Sequence, residues 1–195
     1  MNKIQGIIIS RSPGMFNIIQ RIQSLSNFYL TVSILLCIVT TVVSIISMFL
    51  DETSSIPAQL SNVVISTNLK YSRSFGSVGG RPKENSKILF DLDMDLAPLF
   101  NWNTKQLFVQ LVAEYPTSVA DDGAKVTYWD SIITEKKYAR VHVNKQRGKY
   151  SVWDVSDSFQ GRNATVKLKW NLQPYVGFLF FGQTKGEIEV AYPAT

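Results

Sequence analysis

Cysteine and histidine are almost absent from this chain of 195 residues, which contains one residue of each type. An intramolecular disulfide is therefore impossible, and the same counts exclude a zinc site built from cysteine and histidine ligands. Cys37 lies in the most apolar stretch of the chain, where the reactive thiolate form is disfavoured. The cysteine count neither requires nor forbids an oxidising compartment. We expect neither a metal nor a cofactor.

Positive charge is also limited. The formal net charge is +5, and the Lys and Arg residues are spread along the chain rather than clustered. Neutralising phosphates requires a concentrated basic face, so we expect no nucleic-acid partner. The chain also lacks the Gly-x-x-x-x-Gly-Lys pattern of a phosphate-binding loop.

The one histidine is a poor candidate for a catalytic base. His142 lies between Val141 and Val143 in an alternating segment, and the charges of Lys145 and Arg147 oppose protonation of its ring. No serine occurs in the Gly-x-Ser-x-Gly setting of a hydrolase. Ser-Lys dyads and paired carboxylates use residue types that are present, but no spacing singles one out. We therefore predict no catalytic residue.

A long uncharged segment, Phe28 to Leu50, is the clearest feature of the chain. Its 23 residues contain no proline or glycine, and as a helix they extend about 35 Å, enough to cross a hydrocarbon core of about 30 Å. A buried core helix is the competing interpretation, but a small domain seldom offers a site that is apolar on every side. The segment is too long for a cleaved signal peptide and ends in bulky residues. An uncleaved signal-anchor is therefore favoured over a cut near residues 54–55.

The charges that flank this segment predict its orientation. Three cationic residues and no acidic residue precede it, whereas Asp51 and Glu52 follow it. The positive-inside rule then places the N-terminus in the cytosol and the rest of the chain on the far side of the membrane, as in a single-pass type II protein. In a eukaryotic cell the far side is the lumen of the endoplasmic reticulum or of a compartment downstream. The predicted parts are a cytosolic tail (1–27), a transmembrane helix (28–50), a linker (51–58) and a luminal domain (59–195).

The luminal part alternates with a period of two residues, which indicates β-strands. Three segments show this most clearly: 88–96, 107–115 and 164–172. Shorter candidate strands lie at 63–67, 126–133, 140–143, 150–155 and 188–192, and turn signals lie at 79–82, 121–123, 147–148, 182 and 186. Many short alternating strands separated by turns predict an antiparallel β-sandwich, in which Trp129, Trp153 and Trp170 are core residues.

Three aspartates on one face of the first strand raise the question of a metal site. Asp91, Asp93 and Asp95 are two residues apart, so they share a strand face and repel one another unless a cation lies between them. Calcium is one solution, but the spacing differs from that of an EF-hand loop. The alternative is a solvated face opposite lysines on a neighbouring strand, for which Lys167 and Lys169 have the matching period. We favour the lysine ladder and predict no metal ligand.

Asn163-Ala164-Thr165 is an N-glycosylation acceptor. It follows a turn signal at Gly161-Arg162, which suits an exposed acceptor. Because the predicted topology places it in the lumen, we expect a glycan at Asn163.

Several sequence blocks carry a family resemblance. They are Phe90-Asp91-Leu92, Pro98-Leu99-Phe100-Asn101-Trp102-Asn103-Thr104-Lys105-Gln106-Leu107-Phe108-Val109, Ala113-Glu114-Tyr115, Tyr128-Trp129-Asp130, Lys149-Tyr150-Ser151-Val152-Trp153-Asp154 and Trp170-Asn171-Leu172-Gln173-Pro174-Tyr175-Val176-Gly177. Together they closely resemble subunit 3 of the signal peptidase complex, in a yeast-type form. The resemblance extends over essentially the whole chain from about Met15.

The resemblance implies a non-catalytic role. Members of this family have a short cytosolic N-terminus, one membrane span and a luminal domain, and they support the active centre of a separate protease subunit near the luminal membrane face. In yeasts the family implies an essential subunit. The implied partners are the catalytic signal peptidase subunit, the other subunits of the complex and membrane lipid, with nascent signal peptides contacted indirectly.

The block around Trp102 is the best candidate for a partner contact, because loops between strands can reach a partner. The candidate residues are Asn101, Trp102, Asn103, Lys105 and Gln106. Trp102 as a core residue is the alternative. Two other functions also stay open: a membrane-anchored luminal module that binds sugars or peptides, and a membrane-anchored hydrolase with an unusual dyad.

Overall fold

The structure is a computed structural model that describes residues 17–50, 56, 58–75, 81–116, 123–153, 158–159 and 161–193. Its described part contains one α-helix, α1 (Ile18–Leu50). The strands are β1 (Ala58–Lys70), β2 (Lys83–Asp95), β3 (Thr104–Tyr115), β4 (Ala124–Ile133), β5 (Arg140–Arg147), β6 (Val152–Trp153), β7 (Asn163–Pro174), β8 (Phe180–Gln183) and β9 (Ile188–Ala191). The predicted order of one apolar helix followed by antiparallel strands is confirmed.

Helix α1 begins ten residues before Phe28, the predicted start of the membrane span, and ends at the predicted Leu50. It has 33 residues and is long and apolar enough to cross a membrane. The chain divides into two compact units, residues 1–39 and 40–195. Residues 18–39, the part of the helix that belongs to the first unit, are all exposed.

The last eleven residues of α1 belong to the second unit and pack against the β-domain. The less exposed residues recur on one helical face, at 40, 41, 44, 45, 47 and 48. Ser44 is buried on this face, and Met48 packs against the hydrophobic core. Four of these six residues are Ser or Thr, whose small side chains let the backbones of packed elements approach closely.

The strands form two antiparallel sheets. In one sheet β2 lies between β1 and β5, and β6 also pairs with β2. In the other sheet the order is β4-β3-β7-β8, and β9 also pairs with β7. The three alternating segments of the sequence are the central strands β2, β3 and β7, because these strands bury one complete face.

The hydrophobic core lies between the inner faces of the two sheets. Phe90 of β2 is fully buried, and its ring meets that of Trp129 on β4 edge-to-face, with centroids 5.8 Å apart. Trp170 is buried as well, whereas Trp153 is only half-buried, so two of the three predicted core tryptophans are central. One polar chain crosses this core: the Tyr128 hydroxyl lies 2.7 Å from Ser86 Oγ and 3.0 Å from the Tyr192 hydroxyl. Burial raises the pKa of Tyr128, so the phenol stays neutral.

One turn prediction is wrong. Gly182 lies inside β8, opposite Trp170 of β7, and is not part of a turn. The indole ring of Trp170 occupies the space above Gly182, where a side chain would overlap it. The predicted turns at residues 79–80 and 121–122, and the end of the predicted strand at 154–155, lie outside the described residues.

Candidate functional site

The loop from β2 to β3 contains the predicted partner-contact block. It starts with a 3-10 turn, Ala97–Leu99. Pro98 lies in this turn, and the fixed φ of proline suits the first turn of a helix. The Asn101 side chain then accepts a hydrogen bond from the backbone N–H of Asn103 at 3.0 Å, as in an Asx turn. This local bonding reverses the chain before β3 begins.

Asn103 connects this loop to the segment that follows β7. Its side chain is buried and donates to the Val176 carbonyl at 2.8 Å while accepting from the Val176 N–H at 3.2 Å. Its own carbonyl accepts from the Tyr175 N–H at 2.8 Å. The amide therefore satisfies two backbone groups that no strand partner reaches. These three bonds hold Tyr175 and Val176 beside the Trp102 loop.

The five predicted contact residues thus have different surroundings. The side chains of Asn101 and Asn103 form hydrogen bonds within the domain. Gln106 donates to the Gln173 side chain of β7 at 2.6 Å. Trp102 and Lys105 are exposed. Trp102 is 61% exposed, so it is not a core residue. Which of the five contacts a partner stays a prediction.

Three further aromatic residues are exposed in the segment from Tyr175 to Phe181, the first residues of which Asn103 holds beside the Trp102 loop. Tyr175 is 68% exposed, and Phe178 and Phe181 are each 73% exposed. We call these three residues and Trp102 the aromatic edge. The sequence analysis missed them, although the run Phe178-Leu179-Phe180-Phe181 departs from the alternation expected of a half-buried strand. Large exposed apolar groups that lie together mark a contact surface rather than ordinary solvated surface.

The three aspartates of β2 have partners other than the predicted lysines, so that prediction is wrong. Lys167 and Lys169 lie on β7, in the other sheet, and both contact Glu114 of β3, at 3.0 and 2.6 Å. These contacts hold the pKa of Glu114 below its usual value, and the hydrogen bond from Lys169 contributes most. The partners of Asp91, Asp93 and Asp95 come instead from β1, β5 and the residues just after β2.

Asp91 binds two irregular points in the neighbouring strands. Its carboxylate accepts from the Lys145 N–H on β5 and from the Asn62 side chain on β1, and these bonds lower its pKa. Both partners have a positive φ of 49° and lie where the strand register shifts. Asp91 therefore stabilises two β-bulges, one on each side of β2.

The other two aspartates contact β5 and the residues just after β2. Asp95 accepts from the Ala97 N–H at 2.9 Å and from Arg140 at 2.8 Å, and the first of these bonds contributes most to the lowering of its pKa. Asp93 lies 3.6 Å from His142 Nδ1. Within the described ranges, no group of three or more His, Cys, Asp or Glu residues is placed to hold a metal. The three carboxylates therefore contact the two strands that flank β2, which are β1 and β5, and the residues just after β2.

His142 lies on the outer face of β5, exposed to solvent. Its side-chain neighbours are Asp93 and the Asn144 amide, which is 3.3 Å from Nε2. A catalytic imidazole needs a nucleophile on one nitrogen and an orienting acid on the other. Here an amide occupies the position that a nucleophile would need.

Asn163, the predicted glycan acceptor, is exposed and is the first residue of β7. It pairs with Ala191 of β9, whereas the aromatic edge follows the opposite end of β7 at Pro174. With a rise of about 3.3 Å per residue, the eleven steps from Asn163 to Pro174 separate the two ends of β7 by roughly 36 Å.

Comparison with known proteins identifies the family of the chain. The model of the signal peptidase subunit family matches residues 15–195. A protein of Debaryomyces hansenii named signal peptidase complex subunit 3 is 49% identical over 171 residues, covering 87% of this chain and 90% of that protein. Proteins of the same name from Saccharomyces cerevisiae and Yarrowia lipolytica are 44% and 41% identical, covering 88% and 90% of this chain and 94% and 97% of their own lengths. The chain, with its apolar helix and β-domain, therefore belongs to the signal peptidase subunit family.

Proposed function

We propose that this chain is a non-catalytic subunit of a signal peptidase complex in the membrane of the endoplasmic reticulum. The observation that carries the proposal is the family match over residues 15–195, which includes both α1 and the β-domain. In this role α1 anchors the chain, and the β-domain supports the active centre of a separate catalytic subunit. The complex removes signal peptides from nascent secretory proteins.

The surroundings of His142 support a non-catalytic role. The imidazole is exposed on an outer strand face, and its side-chain neighbours are Asp93 and Asn144. A general base must lie within hydrogen-bond reach of the group that it deprotonates, and among the described residues His142 has only a carboxylate and an amide as side-chain neighbours. The domain therefore contributes binding surface to the complex, and the chemistry belongs to another subunit.

Co-purification with a serine-protease subunit after mild detergent extraction tests the proposal. We expect the tagged chain to isolate that subunit together with signal-peptide cleavage activity. His142→Ala is expected to leave both unchanged, with Asn144→Ala as the matched control from the same strand face. Loss of cleavage in His142→Ala with the complex still assembled would show a catalytic role, and a chain that purifies alone would favour the binding-module alternative.

Protease protection tests the proposed orientation, in which the N-terminus is cytosolic and the β-domain luminal. The proposal rests on Lys3, Arg11 and Arg21, which precede the uncharged stretch of the chain, and on Asp51 and Glu52, which follow it. In sealed microsomes we expect protease to leave nearly the whole chain intact, and detergent to expose it to digestion. Digestion of the β-domain without detergent would reverse the orientation.

A glycan at Asn163 is a second consequence of a luminal domain. The acceptor is exposed and distant from the aromatic edge, so the oligosaccharide-transferring enzyme has room to reach it. Endoglycosidase treatment should increase the gel mobility of the wild-type chain, and Asn163→Gln should remove that difference. Thr165→Ser keeps the acceptor pattern and should keep the shift. An unchanged mobility of the wild type would mean that Asn163 is unmodified.

A further inference from the structure

The uncharged part of α1 is longer than a bilayer requires. Arg21 is the last charged residue of the helix, and the 29 residues from Ile22 to Leu50 contain none. As a helix this stretch extends about 43 Å, whereas a hydrocarbon core is about 30 Å thick. A span of about 20 residues that starts at Ile22 ends at Thr41. Roughly 13 Å of uncharged helix then remains beyond it.

The β-domain covers this excess length. Packing against α1 begins at Thr40 and Thr41, which are half-buried, and continues through the buried Ser44 to Met48. A folded domain with charged surface residues is too costly to place in hydrocarbon. The helix must therefore leave the hydrocarbon core close to the point where this packing starts, which is nine residues before Leu50.

The segment after β7 touches the helix at this point. A Cβ atom at Gly177 would lie 3.1 Å from the Thr41 Cγ2 atom, so the backbone of Gly177 packs directly on Thr41. Gly177 has a φ of +120°, a conformation that side chains disfavour. Its neighbours Tyr175 and Phe178 belong to the aromatic edge, and Asn103 fixes Trp102 beside them. The aromatic edge is thus level with Thr41 on α1.

The chemistry of the aromatic edge matches the surface layer of a bilayer. Trp and Tyr are enriched at membrane–water interfaces, where their rings are apolar and their polar ends reach water. Phe178 and Phe181 add apolar area, and no charged residue occurs from Trp170 to Thr184. The uncharged segment and the exposed rings are what a lipid headgroup layer accommodates.

We propose that the aromatic edge lies in the headgroup layer of the luminal leaflet, so that the β-domain itself rests on the bilayer. The occupant of this surface is lipid rather than another subunit, because the segment that carries these rings packs on Thr41, the residue at which α1 leaves the hydrocarbon core. The inference rests on the proposed function, in which α1 crosses the membrane. It also places the luminal end of the span near Thr41 and not at Leu50.

Quenching of tryptophan fluorescence by brominated lipid tests this contact. The full-length chain is placed in phosphatidylcholine nanodiscs with or without bromine on the upper acyl chain. Trp102 is one of four tryptophans, and two of the others are buried in the core. We expect bromine to lower the total emission by roughly one quarter, because rings at the membrane interface meet lipid directly. Trp102→Phe should remove most of this loss.

Two matched variants separate lipid contact from general unfolding. Phe178→Asp places a charge on the aromatic edge and should reduce the quenching of Trp102. Leu69→Asp alters a residue that is 59% exposed near the far end of β1, where it pairs with Glu84, and should leave quenching unchanged. Equal quenching in wild type and Trp102→Phe would overturn the proposal.

Alkaline carbonate extraction distinguishes failure of the proposed membrane anchorage from failure of the lipid contact alone. If the chain is extracted as a peripheral protein, the proposed membrane anchorage fails and the inference fails with it. If the chain stays in the membrane but Trp102 is not quenched, only the inference fails. A partner subunit then becomes the occupant of the aromatic edge.

Discussion

Phe90→Ala is expected to destabilise the β-domain by about 3–5 kcal/mol, because it removes a large, fully buried side chain and leaves a cavity. Phe90 lies on β2, between β1 and β5, and reaches across the core to the ring of Trp129 on the opposite sheet. Its loss therefore removes one of the contacts between the two sheets. Domains of this size have a total stability of about 5–15 kcal/mol, so the variant is close to unfolding.

Chemical unfolding of the full-length chain in detergent, followed by tryptophan fluorescence, measures this effect. Ile132→Ala is the matched control, since Ile132 is 57% exposed on β4 and its truncation should change stability by less than about 0.5 kcal/mol. In cells, we expect Phe90→Ala to lower the amount of the subunit and to cause unprocessed secretory precursors to accumulate. A Phe90→Ala chain as stable as the control would contradict the assignment of Phe90 to the core.

Gly182→Ala is expected to cost about 1–3 kcal/mol, because the added methyl group overlaps a well-packed ring. The Trp170 Cε2 atom would lie only 2.6 Å from the new Cβ, and the ring cannot move freely since Trp170 is buried. The neighbouring Gln183 is exposed on the same strand. Gln183→Ala should therefore leave the free energy of unfolding nearly unchanged.

A double-mutant cycle shows whether the clash is the cause. Trp170→Phe removes part of the indole that fills the space above Gly182, and the double variant should lose less stability than the sum of the two single variants. Additive losses would mean that Gly182→Ala acts through another contact. The same unfolding measurement serves for all four chains.

Local patterns predicted most of the secondary structure. The alternation at 88–96, 107–115 and 164–172 identified three central strands, because a strand that buries one face requires apolar residues at every second position. The long uncharged run from Phe28 to Leu50 likewise predicted an apolar helix before the domain. The alternation pattern does not account for the turn prediction at Gly182, which came from residue type. That prediction is wrong because glycine is needed at this position for close packing within a strand, whereas residue type alone indicates a turn.

The surroundings of the candidate site were harder to predict from the sequence. Asn101 and Asn103 stand next to Trp102 in the chain, and their residue types alone do not show that the two amides bond to backbone while the ring faces solvent. Asn103 acts on Val176, 73 residues later, and such a contact has no local signal. The exposed rings of Phe178 and Phe181 were missed because an apolar run, although it departs from alternation, does not show which of its side chains face solvent.

By itself, the sequence determined the apolar helix, the alternating strands and the family, since each depends on residues close together in the chain or on their order. Only the tertiary structure decided which strands are neighbours. Lys167 and Lys169 match the period of Asp91, Asp93 and Asp95, but β7 and β2 belong to different sheets, so the lysines bind Glu114 instead. Tertiary structure also showed that the β-domain packs along α1 from Thr40 onward. Periodicity reports which face of an element is buried, whereas the partner of that face depends on topology and register, which no local pattern contains.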